Sequence, residues 1–449
     1  MTDAKDIDDS LEFLRYFEKN TRNTGLAGLV EEGLSADRSR LTLGGVLSLA
    51  DVQAIAAMEP PTSLKTLALD QTGLTAEGVK ALCGSKLFSG LHALSLVNNN
   101  LDDEAVFYLS KSPGLTELKK LHLSSNEIGA LGAKVLFMAT QMGKLEELDL
   151  SYNRIEALGV KGLKGSSLAA SLVRLNLRDT CLGDGGMEQI ARHVAMERLE
   201  EVNLSDNGIT GAGLALLGRS RAFPNLKRMV LDNNHVGDDG IYALCESEGL
   251  GGIEELRLQN NGLTTDSAIS LGESKTLVHL RVLDLNNNDI RAEGTKAIAD
   301  SGNMRALEFL DLGENKLGQE GARAIAGSGF FARLKSLRLN NNNIADLGAK
   351  AIADSKTLAG LEALYLENEN WIHAEGAKAL AEAKHLTSLR KLVLSLNMIG
   401  DEGARHLAGS QALKGLTHLN VAGNRLTPAG EGALQRSTAL VNLKVLEIV

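Results

Sequence analysis

Residues 307–326 read LEFLDLGENKLGQEGARAIA. Leu307, Leu310 and Leu312 open it as L-x-x-L-x-L, Asn315 stands ninth, Gly321 fifteenth, and Ile325 follows four residues later. The alternation in L-x-L is the period of a strand, with leucines turned inward and the residue between them outward. Gly321 and Ile325 are spaced i, i+4 and share one helical face. Working outward, the same unit recurs every 27 residues, its first Leu or Ile falling at 64, 91, 118, 145, 172, 199, 226, 253, 280, 307, 334, 361, 389 and 416, with one 28-residue step after 361. Fixed self-similarity of this length marks a solenoid of stacked strand–helix units.

Two further positions carry the stacking. The ninth-position residue is Asn in 12 of the 14 units, from Asn99 to Asn424, and Thr72 and Thr180 fill the other two. An amide at a buried turn can bond the backbone of its own and the neighbouring unit, so these residues predict a polar ladder, looser at the two threonines. Twelve units place Gly fifteenth, and Ala105 and Ser267 are the exceptions. Glycine there, at a cost of about 0.5–1 kcal/mol against Ala, implies close packing between helices. Strands about 4.8 Å apart joined to helices about 8–10 Å apart must curve, strands inside.

Composition excludes several classes. The 449 residues are 43% apolar and 23% charged, with 47 Gly but 5 Pro, so neither disorder nor collagen fits. A net charge of −10 argues against nucleic acid. The N-terminus MTDAKDIDDS has neither a basic region nor an apolar run, and no stretch approaches a membrane span. Cys83, Cys181 and Cys245 are odd in number and widely spaced, which suits reduced thiols in the core of a cytoplasmic protein. No phosphate-cradling loop, nucleophile elbow, zinc spacing or calcium loop occurs, so no enzyme, cofactor or metal is expected.

The repeat resembles the leucine-rich repeats of the ribonuclease-inhibitor-like type over about 64–449, and GARAIA (321–326), GAKAIA (348–353) and GAKALA (376–381) look like the helix of bacterial GALA-type repeats. The resemblance implies an α/β fold: a right-handed horseshoe solenoid with a parallel concave sheet and convex helices. Residues 1–40 are expected as an N-terminal cap, with Asp8-Asp9-Ser10 as N-cap and Ile7, Leu11, Leu14 and Phe17 on one helical face. Residues 41–449 form the repeat domain, with a degenerate unit at 41–63 and a terminal strand at 443–449. The apolar edge of that strand, LKVLEIV, invites self-association.

Function is expected on the concave face, read from the fifth, seventh and eighth positions. Acids there are Asp70, Asp149, Asp179, Asp206, Asp232, Asp284, Asp311, Glu314 and Glu367, against the bases Arg178, Arg257 and Arg338. The surplus either steers a basic protein partner or keeps a large sheet soluble. The 28-residue unit brings the single tryptophan, Trp371, to the rim near Tyr365, as a binding anchor or as a ring folded over a neighbouring turn. The predicted partner-binding residues are Asp149, Tyr152, Asp179, Asp206, Arg257, Asp284, Asp311, Arg338, Tyr365 and Trp371. The expected role is a non-catalytic protein-interaction scaffold. The alternative is a regulator or translocated effector acting on a switch such as a GTPase, as the resemblance to helical leucine-rich GTPase-activating proteins suggests.

Overall fold

The computed structural model describes residues 25–448, so the helix predicted around Asp8–Phe17 lies outside the described residues. The chain divides into two compact units, Met1–Asn207 with Arg221–Asn225, and Gly208–Ser220 with Leu226–Val449.

In the first unit the helix Leu26–Gly33 precedes seven strands, β1 (Arg40–Thr42), β2 (Thr66–Ala68), β3 (Ala93–Ser95), β4 (Lys120–His122), β5 (Glu147–Asp149), β6 (Arg174–Asn176) and β7 (Glu201–Asn203). They pair in parallel and in chain order. The degenerate copy folds like the rest: Ser48 and Asp51 close a reciprocal capping box at the start of the helix Leu49–Ala56. The second unit holds β8 (Arg228–Val230), β9 (Glu255–Arg257), β10 (Val282–Asp284), β11 (Phe309–Asp311), β12 (Ser336–Arg338), β13 (Ala363–Tyr365), β14 (Lys391–Val393), β15 (His418–Asn420) and β16 (Val445–Glu447). These also pair in parallel and in order, and β16 pairs only with β15 among the described residues.

Equal spacing makes equal register. Each strand is three residues long, and from β1 to β15 its middle residue, such as Leu121, Leu283 or Leu337, is buried; in β16 Leu446 is only half-buried. Its third- and fifth-position neighbours therefore line the opposite, open face. The 28-residue unit keeps this register, with Tyr365 opposite Arg338 and Val393. Its extra residue is absorbed after the strand, where Asn341 N–H donates to both Glu367 O (3.0 Å) and Asn368 O (2.8 Å).

The asparagine ladder forms as expected. Asn315 Oδ1 accepts from Ile290 N–H (3.2 Å), and its Nδ2 donates to Leu285 O and Gly313 O (2.8 Å each). Thr180 donates to Leu177 O (2.7 Å) but offers nothing back to the N–H groups of Asn153 and Ile155, where an asparagine would serve as acceptor. The fifteenth-position glycines face the preceding helix. A Cβ at Gly348 would sit 2.9 Å from Ile344 Cβ and 3.0 Å from Ala322 Cβ, too close for a well-packed core. Where the position is Ser267 instead, its hydroxyl is taken up by Asp238, which also accepts from Thr264 N–H (2.9 Å). Asp103, Asp346 and Asp401 likewise reach forward to cap the next unit, so these acids serve the helix ends rather than a ligand.

A candidate binding face on the sheet

In the second unit, parallel register lays the fifth-position residues in one row: Arg257, Asp284, Asp311, Arg338, Tyr365 and Val393. Phe309, third in its repeat and first in β11, lies beneath both arginines, with the guanidinium of Arg257 5.8 Å and that of Arg338 5.6 Å from its ring centre. Arg338 also covers Tyr365 at 4.7 Å, and Lys391 covers the same ring at 5.1 Å. Arg257 is further held by Glu255 (2.6 Å) and Asp284 (3.5 Å).

The two central acids are not surface charges. Asp284 and Asp311 are buried, and each accepts the backbone N–H two residues on, from Asn286 (3.0 Å) and Gly313 (2.9 Å). Burial and the facing Asp284 push the Asp311 carboxyl up to about 7, and burial likewise raises Asp284 and Glu367. The same turn bond recurs at Asp149, whose carboxylate takes the Ser151 N–H (2.9 Å) and hydroxyl (2.6 Å), and asparagine performs it at Asn176, Asn203 and Asn420. Asp70 is engaged by Ser95 and Val97 N–H. The acid surplus read from the sequence is thus partly taken up inside the sheet, where several of its carboxylates satisfy the backbone.

The first unit carries a different cluster. Glu147 in β5 receives Lys120 (3.0 Å), His122 (2.9 Å) and Arg174 (2.6 Å) from the flanking strands, and these partners hold its carboxyl at about 2. Arg178 pairs with Asp206 at 2.8 Å and sits 5.5 Å from the Tyr152 ring centre. Asp179 is exposed. Lys120, Glu147, Arg174, Arg228, Glu255, Phe309 and Lys391 all occupy the third position, which the sequence reading left out; strand alternation, applied two residues earlier, places them on the open face.

The rim beyond the strands has its own constraint. The eighth residue of every regular unit holds a positive φ, between 51° and 67°, from Gln71 to Gly423. Asparagine tolerates this region, which accounts for Asn98, Asn233, Asn260, Asn287, Asn341 and Asn368. Tyr152 and Leu396 are bulky exceptions, 45% and 59% exposed. Backbone strain at an exposed side chain is a mark of functional positions. Trp371, also at positive φ and 44% exposed, occupies the turn where Gly73, Gly208 and Gly262 serve other units. It lies on the rim, outside the row of Tyr365. Asn341, Asn368, Leu396, Met398 and Arg425 line a shallow groove that does not include it.

Of the cysteines, Cys83 and Cys245 are held as thiols, pushed up to about 12 by burial. Cys181 is exposed in its turn, contrary to the expected core position. Among the described residues no group of three His, Cys, Asp or Glu is placed to hold a metal ion, and no helix is long and apolar enough to cross a membrane.

Stacked strand–turn–helix units with inward leucines and an asparagine ladder define an α/β solenoid of leucine-rich repeats. The chain belongs to the leucine-rich repeat family, whose model matches residues 61–83, 115–137, 144–164, 169–191, 198–218, 224–245, 276–299, 303–326, 334–353 and 385–408. The units at 91, 253, 361 and 416 fall outside these matches, and each still forms its strand and helix. Among solved structures, the Toll-like receptor TLR13 in complex with ssRNA13 is similar at 18% identity and a TM-score of 0.47, over 96% of this chain and 63% of the receptor chain. This chain thus spans less than two thirds of that receptor chain. An internalin, InlF of Listeria monocytogenes, is similar at 16% identity and a TM-score of 0.41, over 95% of this chain and 94% of the internalin. No curated protein matches the chain in sequence.

Proposed function

We propose that the protein is a non-catalytic scaffold that binds a protein partner on the open face of its sheet and the adjoining rim. The observation that carries this reading is the row Arg257–Arg338–Tyr365, where cations and rings are fixed by neighbouring strands and left accessible. Rigid aromatic and arginine side chains on a preformed surface are the usual anchors of protein interfaces, because little entropy is lost when they are covered. In the first unit, Tyr152, Asp179 and Asp206 offer an anchor beside acids, and there a basic segment of the partner finds its complement. Asp149, Asp284 and Asp311 shape the sheet beneath and act through their neighbours. The proposal places the protein in the cytoplasm, in keeping with reduced thiols.

The test is affinity capture from source extract with the wild type and with a triple variant, Asp206→Ala, Arg257→Ala and Tyr365→Ala. The captured protein should be lost from the triple variant while the circular dichroism spectrum stays unchanged. Undiminished capture would remove the face from the interface.

A further inference from the structure

The second unit's face has a cationic centre that is only weakly paired. The Arg338 guanidinium makes no hydrogen bond among the described residues: its Nε is buried without a hydrogen-bond partner, and its one ion pair, to Asp311, is long at 3.9 Å. The Lys391 ammonium, two strands along, forms neither an ion pair nor a hydrogen bond among those residues, and the Tyr365 hydroxyl is equally unengaged. Both cations lie over the Tyr365 ring, from the strands on either side of it, at 4.7 and 5.1 Å. Below them Glu367 Oε2 is buried and unpartnered. Arg228 and Arg257, by contrast, share Glu255 at 2.9 and 2.6 Å, so their charge is already met.

We propose that Arg338, Tyr365 and Lys391 form a receptor for a carboxylate side chain on an acidic segment of the partner protein. A guanidinium held over aromatic rings keeps N–H groups free in the fork that matches a carboxylate, and Lys391 supplies a second point charge beside the same ring. The rings hold Arg338 in place before the ligand arrives, which lowers the ordering cost of binding. The spacing of charges favours an acidic protein segment over a nucleic acid. A polyanionic backbone needs a continuous stripe of unpaired cations, whereas here the pair is isolated, with Asp311 3.9 Å from Arg338 and Glu367 within the field of both cations. This inference rests on the open face being the binding surface, and it gives the second unit a partner charge opposite to that expected from the acid count.

The probe is fluorescein-labelled hexaglutamate, followed by anisotropy at low ionic strength against the full chain. Saturable binding that weakens as salt is added is expected, with a loss of roughly tenfold or more in the double variant Arg338→Ala, Lys391→Ala. Lys384→Ala, on an exposed lysine remote from the sheet row, should bind as the wild type. Thermal melts of the variants establish that folding is intact. Four results overturn the proposal: no saturable binding of hexaglutamate, equal binding by the double variant, tighter binding of hexalysine through these residues, or displacement of hexaglutamate by oligouridylate at lower concentration. If partner capture is lost in the triple face variant yet survives in the Arg338, Lys391 double variant, the carboxylate receptor falls while the scaffold reading stands.

Discussion

Replacing Asp311 by Asn should stabilise the protein, increasingly as pH rises from 3.8 to about 7. The carboxyl is buried, faces the buried Asp284 on the neighbouring strand, and is pushed up to about 7 from its ordinary 3.8. Because the folded-state value is raised, the folded chain holds a proton that the unfolded chain gives up. The associated stability is fully present below pH 3.8 and has been lost once pH has risen through about 7. At about 1.4 kcal/mol for each tenfold change in proton affinity, a gain of roughly 2–4 kcal/mol is expected above that pH. Asparagine removes the ionisation without removing the turn bond, since Asn176, Asn203 and Asn420 accept the same i+2 N–H at 3.1, 3.0 and 3.0 Å. Urea unfolding of wild type and Asp311→Asn from pH 4 to 9 measures the difference. The variant should gain at pH 8.5 and show a flatter profile between pH 4 and 8. A variant less stable than wild type at pH 8.5, or an unchanged pH slope, would refute the reasoning.

The Glu147 cluster runs the opposite way: its carboxyl is lowered to about 2, so its contribution is present above the ordinary glutamate value of 4.5 and lost as pH falls toward 2. Glu147→Gln should cost about 1 kcal/mol at pH 7, discounted for solvent screening, and little at pH 2, as read by urea midpoints. Thr180→Asn should add about 1 kcal/mol by restoring acceptors for the Asn153 and Ile155 N–H groups, and an unchanged midpoint would contradict the ladder account. A maleimide should label Cys181 rapidly in the native protein, whereas Cys83 and Cys245 should react only after unfolding, which mass mapping of the labelled peptides distinguishes.

The fold was legible because every unit repeats the same physical solution. L-x-L at fixed spacing gives strand, register and core together, and Asn315 or Gly348 needs only its own position to be understood. The binding face was less legible, for a reason visible at Asp284 and Asp311. A residue letter on the open side of a strand does not tell whether its carboxylate meets solvent or the N–H two residues on. That depends on Arg257 and Arg338 reaching the two acids from the flanking strands. The third-position row was accessible to the same alternation rule and was missed by starting the count two residues late. The left-handed eighth position was hidden by Tyr152 and Leu396, which break the asparagine preference that would have announced it.

The central claim is that the partner lies on the sheet face and rim. Hydroxyl-radical footprinting of the protein with its captured partner tests it most directly, because exposed aromatic rings mark both sides. Oxidation should fall at Tyr152, Tyr365 and Trp371 when the partner is bound and remain unchanged at Phe107 and Tyr242, which are exposed on helices. Protection of Phe107 and Tyr242, with the three face and rim residues still oxidised, would contradict the account.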